Sequence, residues 1–152
     1  MAYWLMKTEP DVFGIDDLEK RPNRTEHWDG IRNYQVRNML RDDMQVGDSA
    51  LMYHSSCKQP GVVGIMKITR GAYPDFSQFD PESKYYDPNS RLENPRWLMV
   101  DVTLVRRLKR LISLQELKAQ APLESMRILA RGNRLSITPV SVAQWKHILS
   151  LE

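Results

Sequence analysis

The chain is poor in the groups that most reactive sites are built from. It holds one cysteine, Cys57, so it forms no internal disulfide and carries no redox pair. Its three histidines, His27, His54 and His147, are far apart, and no His-x-His or Cys-x-x-Cys spacing converges on a metal. Glycine is sparse as well, with seven residues. Neither "GVVG" nor "RGN" has the spacing or the Lys-Ser/Thr of a phosphate-cradling loop, which removes nucleotide hydrolysis. No segment approaches membrane-spanning length, and the opening "MAYWLMKTEP" becomes charged at Lys7 after too short an apolar run for a signal peptide. Together these absences predict a soluble domain in a reducing, cytoplasmic compartment that needs no cofactor. A large excess of one charge is also missing: 22 Lys and Arg against 19 Asp and Glu leave +3, enough for a phosphate-bearing partner but far from a dedicated duplex binder.

What is present is enough apolar residue for one core. At 152 residues and 41% hydrophobic, residues 1–152 read as a single domain with no linker, repeat or low-complexity tract. "AYWLMK" reads as a strand ending in the turn "TEPD", and "GIDDLEK" as one or two helical turns. Val36, Met39 and Leu40 recur at helical spacing after Asn33, a natural N-cap, which sets Tyr34, Arg37, Asn38 and Arg41 on the opposite face. "GDSALMYHSS" and "GVVGIMKIT" read as antiparallel strands across "SCKQPG", and "RWLMVDVTLVRRL" as a long strand. Between these, residues 71–94 are rich in Pro, Asp and Tyr and read as an ordered loop. Capping boxes at Ser113/Glu116 and Ser141/Gln144 open two further helices. Strands spaced by turns with short helices between them suggest an α+β fold, a small mixed barrel rather than a doubly wound parallel sheet.

The most unusual stretch is "WDGIRNYQVRN" at residues 28–38, where rings, guanidiniums and amides crowd together. A base taken out of its stack is held by aromatic faces and by amides or hydroxyls on its edge. Trp28, placed in a polar loop, with Asn33, Tyr34, Asn38, Tyr53 and Ser55 supplies that chemistry. The alternative is a solvated helix face beside a buried indole. Trp4 and Trp145 sit in core-like contexts, while Trp97 fits either role. In "ARGNRLS", Arg131, Asn133 and Arg134 surround a turn suited to phosphate contact. The run "RRLKR" at 106–110 reads as a solvated face. An enzyme reading is also open, with Ser55, Ser56 or Cys57 activated by His54 or His27 and oriented by Asp29, and His54 with Ser55 or Cys57 as its sharpest form on a modified nucleotide or nucleic acid, although no nucleophile-elbow glycines flank the serines. A third option is a protein-binding module using the aromatic loop from Tyr73 to Tyr86.

"YWLMKTEP", "WDGIRNYQVRN", "GDSALMYHSS", "GVVGIMKI", "AYPD", "YYDP", "NPRWLMVDV" and "RGNRLSITPV" occur in the order and rough spacing of the EVE domain. The chain resembles that family from Tyr3 to about Ile148, and within it a stand-alone bacterial member of the thymocyte nuclear protein family. The resemblance implies a PUA-like fold, a mixed β pseudobarrel with peripheral short α-helices. It also implies a non-catalytic module that recognises a modified base, either a modified cytosine in DNA or a modified base in RNA. Carried over by position, its pocket takes Lys7, Thr8, Trp28, Arg32, Asn33, Tyr34, Arg37, Asn38, Tyr53, His54 and Ser55. Arg131, Asn133 and Arg134 are the candidates for flanking phosphates.

Overall fold

The computed structural model describes all 152 residues. Six strands, β1 (Tyr3–Thr8), β2 (Thr25–Trp28), β3 (Ser49–His54), β4 (Gly61–Pro74), β5 (Leu98–Ser113) and β6 (Ile137–Val140), form one mixed sheet in the order β2-β5-β4-β3-β1-β6. β1 runs parallel to β3 and every other pairing is antiparallel. Edges β2 and β6 are not bonded to each other, so the sheet is a pseudobarrel rather than a closed barrel. β-bulges shift the register at several points along β4 and β5, and such insertions bend a strand and raise its twist.

Alternation along each strand feeds two cores, one on each side of the sheet. In β1, Trp4 and Met6 join a cluster with Val36, Met39 and Leu40 of α2 (Tyr34–Asp42) and with Ile15 and Leu18 of α1 (Ile15–Lys20). Leu5 points the other way. It joins Leu117 of α3 (Leu114–Lys118) and Trp145 and Ile148 of α4 (Val142–Ser150). Because both faces are covered, the central strands read as nearly continuous apolar runs. No helix is long and apolar enough to cross a membrane.

The caps follow from the sequence with one exception. The Asn33 side chain accepts from the Val36 N–H at 3.0 Å, and Ser141 and Gln144 exchange both bonds of a capping box. Ser113 accepts from the Glu116 N–H at 3.1 Å, but the Glu116 carboxylate turns to Arg110 instead of closing the box. Three strands depart from the sequence reading. β4 continues through Pro74, past the Gly71 where the sequence suggests a loop, because Tyr73 and Pro74 pair with Met99 and Leu98 of β5. "TEHW" is β2 rather than loop, and places Trp28 opposite Val100; four residues are too few for alternation to show, and pairing to β5 supplies what local pattern lacks. β6 carries Pro139, which an edge strand tolerates.

Residues 75–97 are ordered by a buried amide. Gln78, fully buried, donates to the carbonyls of Asp75 and Trp97 and accepts from the Trp97 N–H and the Ser90 hydroxyl. All its bonding capacity is used, so the loop is held like a piece of core.

Candidate nucleic-acid interface

Parallel pairing brings the ends of β1 and β3 out on the same side of the sheet, where the Ser55 N–H donates to the Thr8 carbonyl at 2.9 Å. The end of β2 and the tip of the ordered loop close over them. A cavity of about 600 Å³ opens between these pieces, within the range that holds a small organic ligand. Lys7 and Thr8 line it from β1, Trp28 to Ile31 from the end of β2, Ser55 from the end of β3, and Lys84 and Tyr85 from the loop. Phe13 adds a second partly exposed ring.

Lys7, Thr8, Trp28 and Ser55 are therefore where the sequence expects them, though two have other duties. Trp28 is 7% exposed and packs chiefly in the core, so only a small part of its indole borders the cavity. The Thr8 hydroxyl donates to the Phe13 carbonyl at 2.6 Å. The remaining predicted residues do not line the cavity. Tyr53 lies at 2% exposure in the cluster on the other face of the sheet, and burial pushes its phenol up to about 12. His54 accepts from the Ile15 N–H through Nε2 at 3.1 Å, and burial pushes its imidazole below the ordinary range. Asn33 is occupied as the cap of α2.

Arg32, Tyr34 and Arg37 form a stack alongside. The Arg32 guanidinium sits 5.4 Å from the ring centres of both Tyr85 and Trp97, Tyr34 lies 4.8 Å from Trp97, and Arg37 covers Tyr34. This ladder runs from the cavity wall to the outer face of α2. Arg37 also donates to Asn38, which borders a separate cavity of about 680 Å³ between α2 and the β1–β6 edge. Arg131 and Arg134 are exposed, and Asn133 bonds back to Leu135. Their turn runs directly into Ser136, which lines the cavity. The basic run on β5 is largely spent: Arg106 pairs with Glu152, Arg107 with Asp16 and Glu19, and Arg110 with Glu116.

Three determinants are not among the pocket residues that the sequence suggests. Gly30 has φ +80°, and a β-carbon there would lie 2.6 Å from the Tyr85 ring, so glycine is required both by backbone and by contact. Asp75, wholly buried, accepts from the Gly30 N–H at 2.9 Å, from Arg32 at 3.2 Å and from both the N–H and the hydroxyl of Ser77. Arg32 completes the clamp by donating through Nε and Nη2 to the Tyr85 carbonyl at 3.1 and 2.7 Å. Arg32 thus holds the cavity wall in place. Asp29, the third, is half-buried in the lining, where its own backbone N–H is the only group that donates to its carboxylate. Its nearest partner is His27 Nε2 at 3.9 Å, and burial, then the charge of Asp75, pushes its carboxyl above the usual range. Asp29 and Gly30 lie inside the "WDGIRNYQVRN" stretch, where the Asp-Gly pair was the available signal.

Electrostatically the cavity is mixed. Lys7 and Lys84 face it without an ion-pair partner, whereas Glu26 is tied to Arg21 and His27. No group of three or more His, Cys, Asp or Glu side chains converges to hold a metal ion. Cations at the mouth, rings on the walls and one free acceptor inside suit a phosphate-linked, planar, amine-bearing ligand.

Comparison with known proteins identifies the family. The EVE domain model matches residues 2–151. Thymocyte nuclear protein 1 of Rattus norvegicus is 48% identical over 167 aligned positions, covering 99% of this chain and 73% of the relative. The crystal structure of human THYN1 in complex with 5-methylcytosine-containing DNA superimposes with a TM-score of 0.94 at 46% identity, covering 99% of this chain and 97% of that one. A crystal structure from Pseudomonas putida gives 0.92 at 47% identity, with 99% of each chain covered. The chain belongs to the EVE domain family.

Proposed function

We propose that this protein is a DNA-binding module that accepts a modified cytosine, taken out of its stack, into the cavity between β1, β2, β3 and the loop at Lys84–Tyr85. The observation that carries the reading is the cavity itself: large enough to admit a base, lined by Tyr85 and Phe13, bordered by an edge of Trp28, and carrying Lys7 and Lys84 without ion-pair partners. Human THYN1, which shares this fold at 46% identity, was crystallised with 5-methylcytosine-containing DNA, and that supports the choice of ligand. Tyr85 and Phe13 flank the base, the Thr8 and Ser55 corner meets its edge, and Lys7, Lys84, Arg131 and Arg134 hold neighbouring phosphates. Asn33, Tyr34, Arg37 and Asn38 support this site from α2 without entering it. The module is a binder, not a catalyst. A general base at His54 would need a free ring nitrogen facing Ser55 or Cys57, and its Nε2 lone pair is already taken by Ile15.

Hydrogen exchange with and without a methylated oligonucleotide tests the location. Protection is expected at residues 7–9, 26–31 and 83–86. Protection confined to β5 or to the cavity between α2 and β6 would place the interface elsewhere and overturn the reading.

A further inference from the structure

We propose that Asp29 is the residue by which this cavity tells a 5-methylcytosine from a thymine, an inference that rests on a base entering the cavity as described above. The two bases carry the same methyl group. They differ on one edge, where cytosine presents an exocyclic amine and an unprotonated ring nitrogen while thymine presents a carbonyl oxygen and a ring N–H. Apolar walls such as Phe13 and Tyr85 cannot separate them. A side chain that only accepts can when it faces the 4-position, where it welcomes the amine and repels the carbonyl; set against the ring nitrogen it would instead favour the N–H of thymine.

Asp29 is the lining side chain placed to do this. Of the other polar groups in the cavity, the Thr8 hydroxyl is spent on the Phe13 carbonyl, the Ser55 hydroxyl faces the Thr8 carbonyl, and Glu26 is held by Arg21 and His27. Lys7 and Lys84 are donors only, suited to phosphate, Glu9 is exposed at the rim, and Ser56, Ser136 and His27 can donate as well as accept and so do not separate the two bases. Asp29 remains, half-buried at the end of β2, its carboxylate held by its own backbone N–H and by no side chain. A carboxylate partly removed from water with most of its accepting capacity unused is costly, and an amine donated by a ligand relieves that cost. Gly30, pinned by Asp75 and packed beneath Tyr85, fixes the backbone from which Asp29 projects. Burial, and next the charge of Asp75, hold the Asp29 carboxyl above the usual range.

Asparagine provides the informative substitution. Its amide is nearly the same size but carries both a donor and an acceptor, and a flip lets it serve either base. Dissociation constants are measured for single-stranded oligonucleotides identical except for one 5-methylcytosine, cytosine or thymine, so that opening a base pair does not enter. The wild-type protein is expected to favour 5-methylcytosine over thymine by about 5- to 150-fold, the discrimination typical of one well-placed base contact. In Asp29→Asn the two dissociation constants should fall within about twofold of each other, chiefly through tighter thymine binding. Asp29→Ala should lose the preference as well. Thermal melting of each variant accompanies the titration, since Asp29 bonds no neighbour and its loss should leave the fold intact. A wild-type preference retained in Asp29→Asn overturns the role of Asp29 and leaves the cavity reading standing. Equal binding of all three oligonucleotides by the wild-type protein overturns the cavity reading and this inference with it.

Discussion

Asp75→Ala is expected to lower folding stability by about 3 to 5 kcal/mol, the loss typical of removing one partner from a buried charged network. Asp75 is wholly buried and accepts from Gly30, Arg32 and Ser77, so its removal strands donors from three residues at once. Those residues hold the corner at Gly30 against the loop at Tyr85, and binding should weaken with stability. Acid provides a second readout. Burial alone would raise the Asp75 carboxyl, but the Ser77 hydroxyl, the Gly30 and Ser77 N–H groups and Arg32 together hold it below the usual range. A carboxyl depressed in the folded state stabilises the fold above the unfolded value of about 4, and that contribution disappears as pH falls through the folded value. The stability advantage of wild type over Asp75→Asn in urea melts should therefore be largest at pH 7 and shrink toward pH 3. An advantage that does not change with pH would show that the charge of Asp75 is not what the network recognises.

The second large effect is at Trp28. Truncating a buried tryptophan costs about 3 to 5 kcal/mol, which for a chain of this size lowers the melting temperature by about 10 °C or more. Trp28→Ala should do so, because the indole is packed among Ile31, Val36 and their neighbours in the core. Trp28→Phe should recover most of the loss. Measured on folded protein, the affinity of Trp28→Ala for methylated DNA should fall by up to about tenfold, near the lower end of a full stacking contact, because little of the ring faces the cavity. A melting temperature unchanged within about 2 °C would contradict the core assignment.

The contrast between Trp28 and Tyr53 shows what the sequence carries and what it does not. Helical periodicity separated Val36, Met39 and Leu40 from Tyr34, Arg37 and Asn38, and α2 has that division, with Asn33 as its cap. Lys7, Thr8 and Ser55 were placed at strand ends and do meet in the cavity, because β1 and β3 are parallel neighbours. Tyr53 is one residue from that corner. Alternation should have sent it to the other face, but with both faces of β3 apolar the strand pattern does not say which side is the pocket. The sequence suggests Arg32 as a ligand contact and does not reveal its clamp, since the partners Asp75, Ser77 and Tyr85 are more than forty positions away. The same distance hid the wall formed by Tyr85 over Gly30. The arginines of β5 read correctly as a solvated face, but the carboxylates that neutralise Arg106 and Arg107 come from the C-terminus and α1.

Everything proposed for the cavity turns on its preference for a modified base. The most direct measurement is the ratio of dissociation constants for two DNA duplexes that differ by a single 5-methyl group on one cytosine, taken at several salt concentrations. Phosphate contacts contribute equally to both and cancel in the ratio, while a methyl group buried against an apolar wall contributes about 1 kcal/mol or more. The methylated duplex should bind at least about fivefold more tightly, with a ratio that salt does not change. Equal affinities across the salt series would contradict the account, leaving a protein held by phosphate alone.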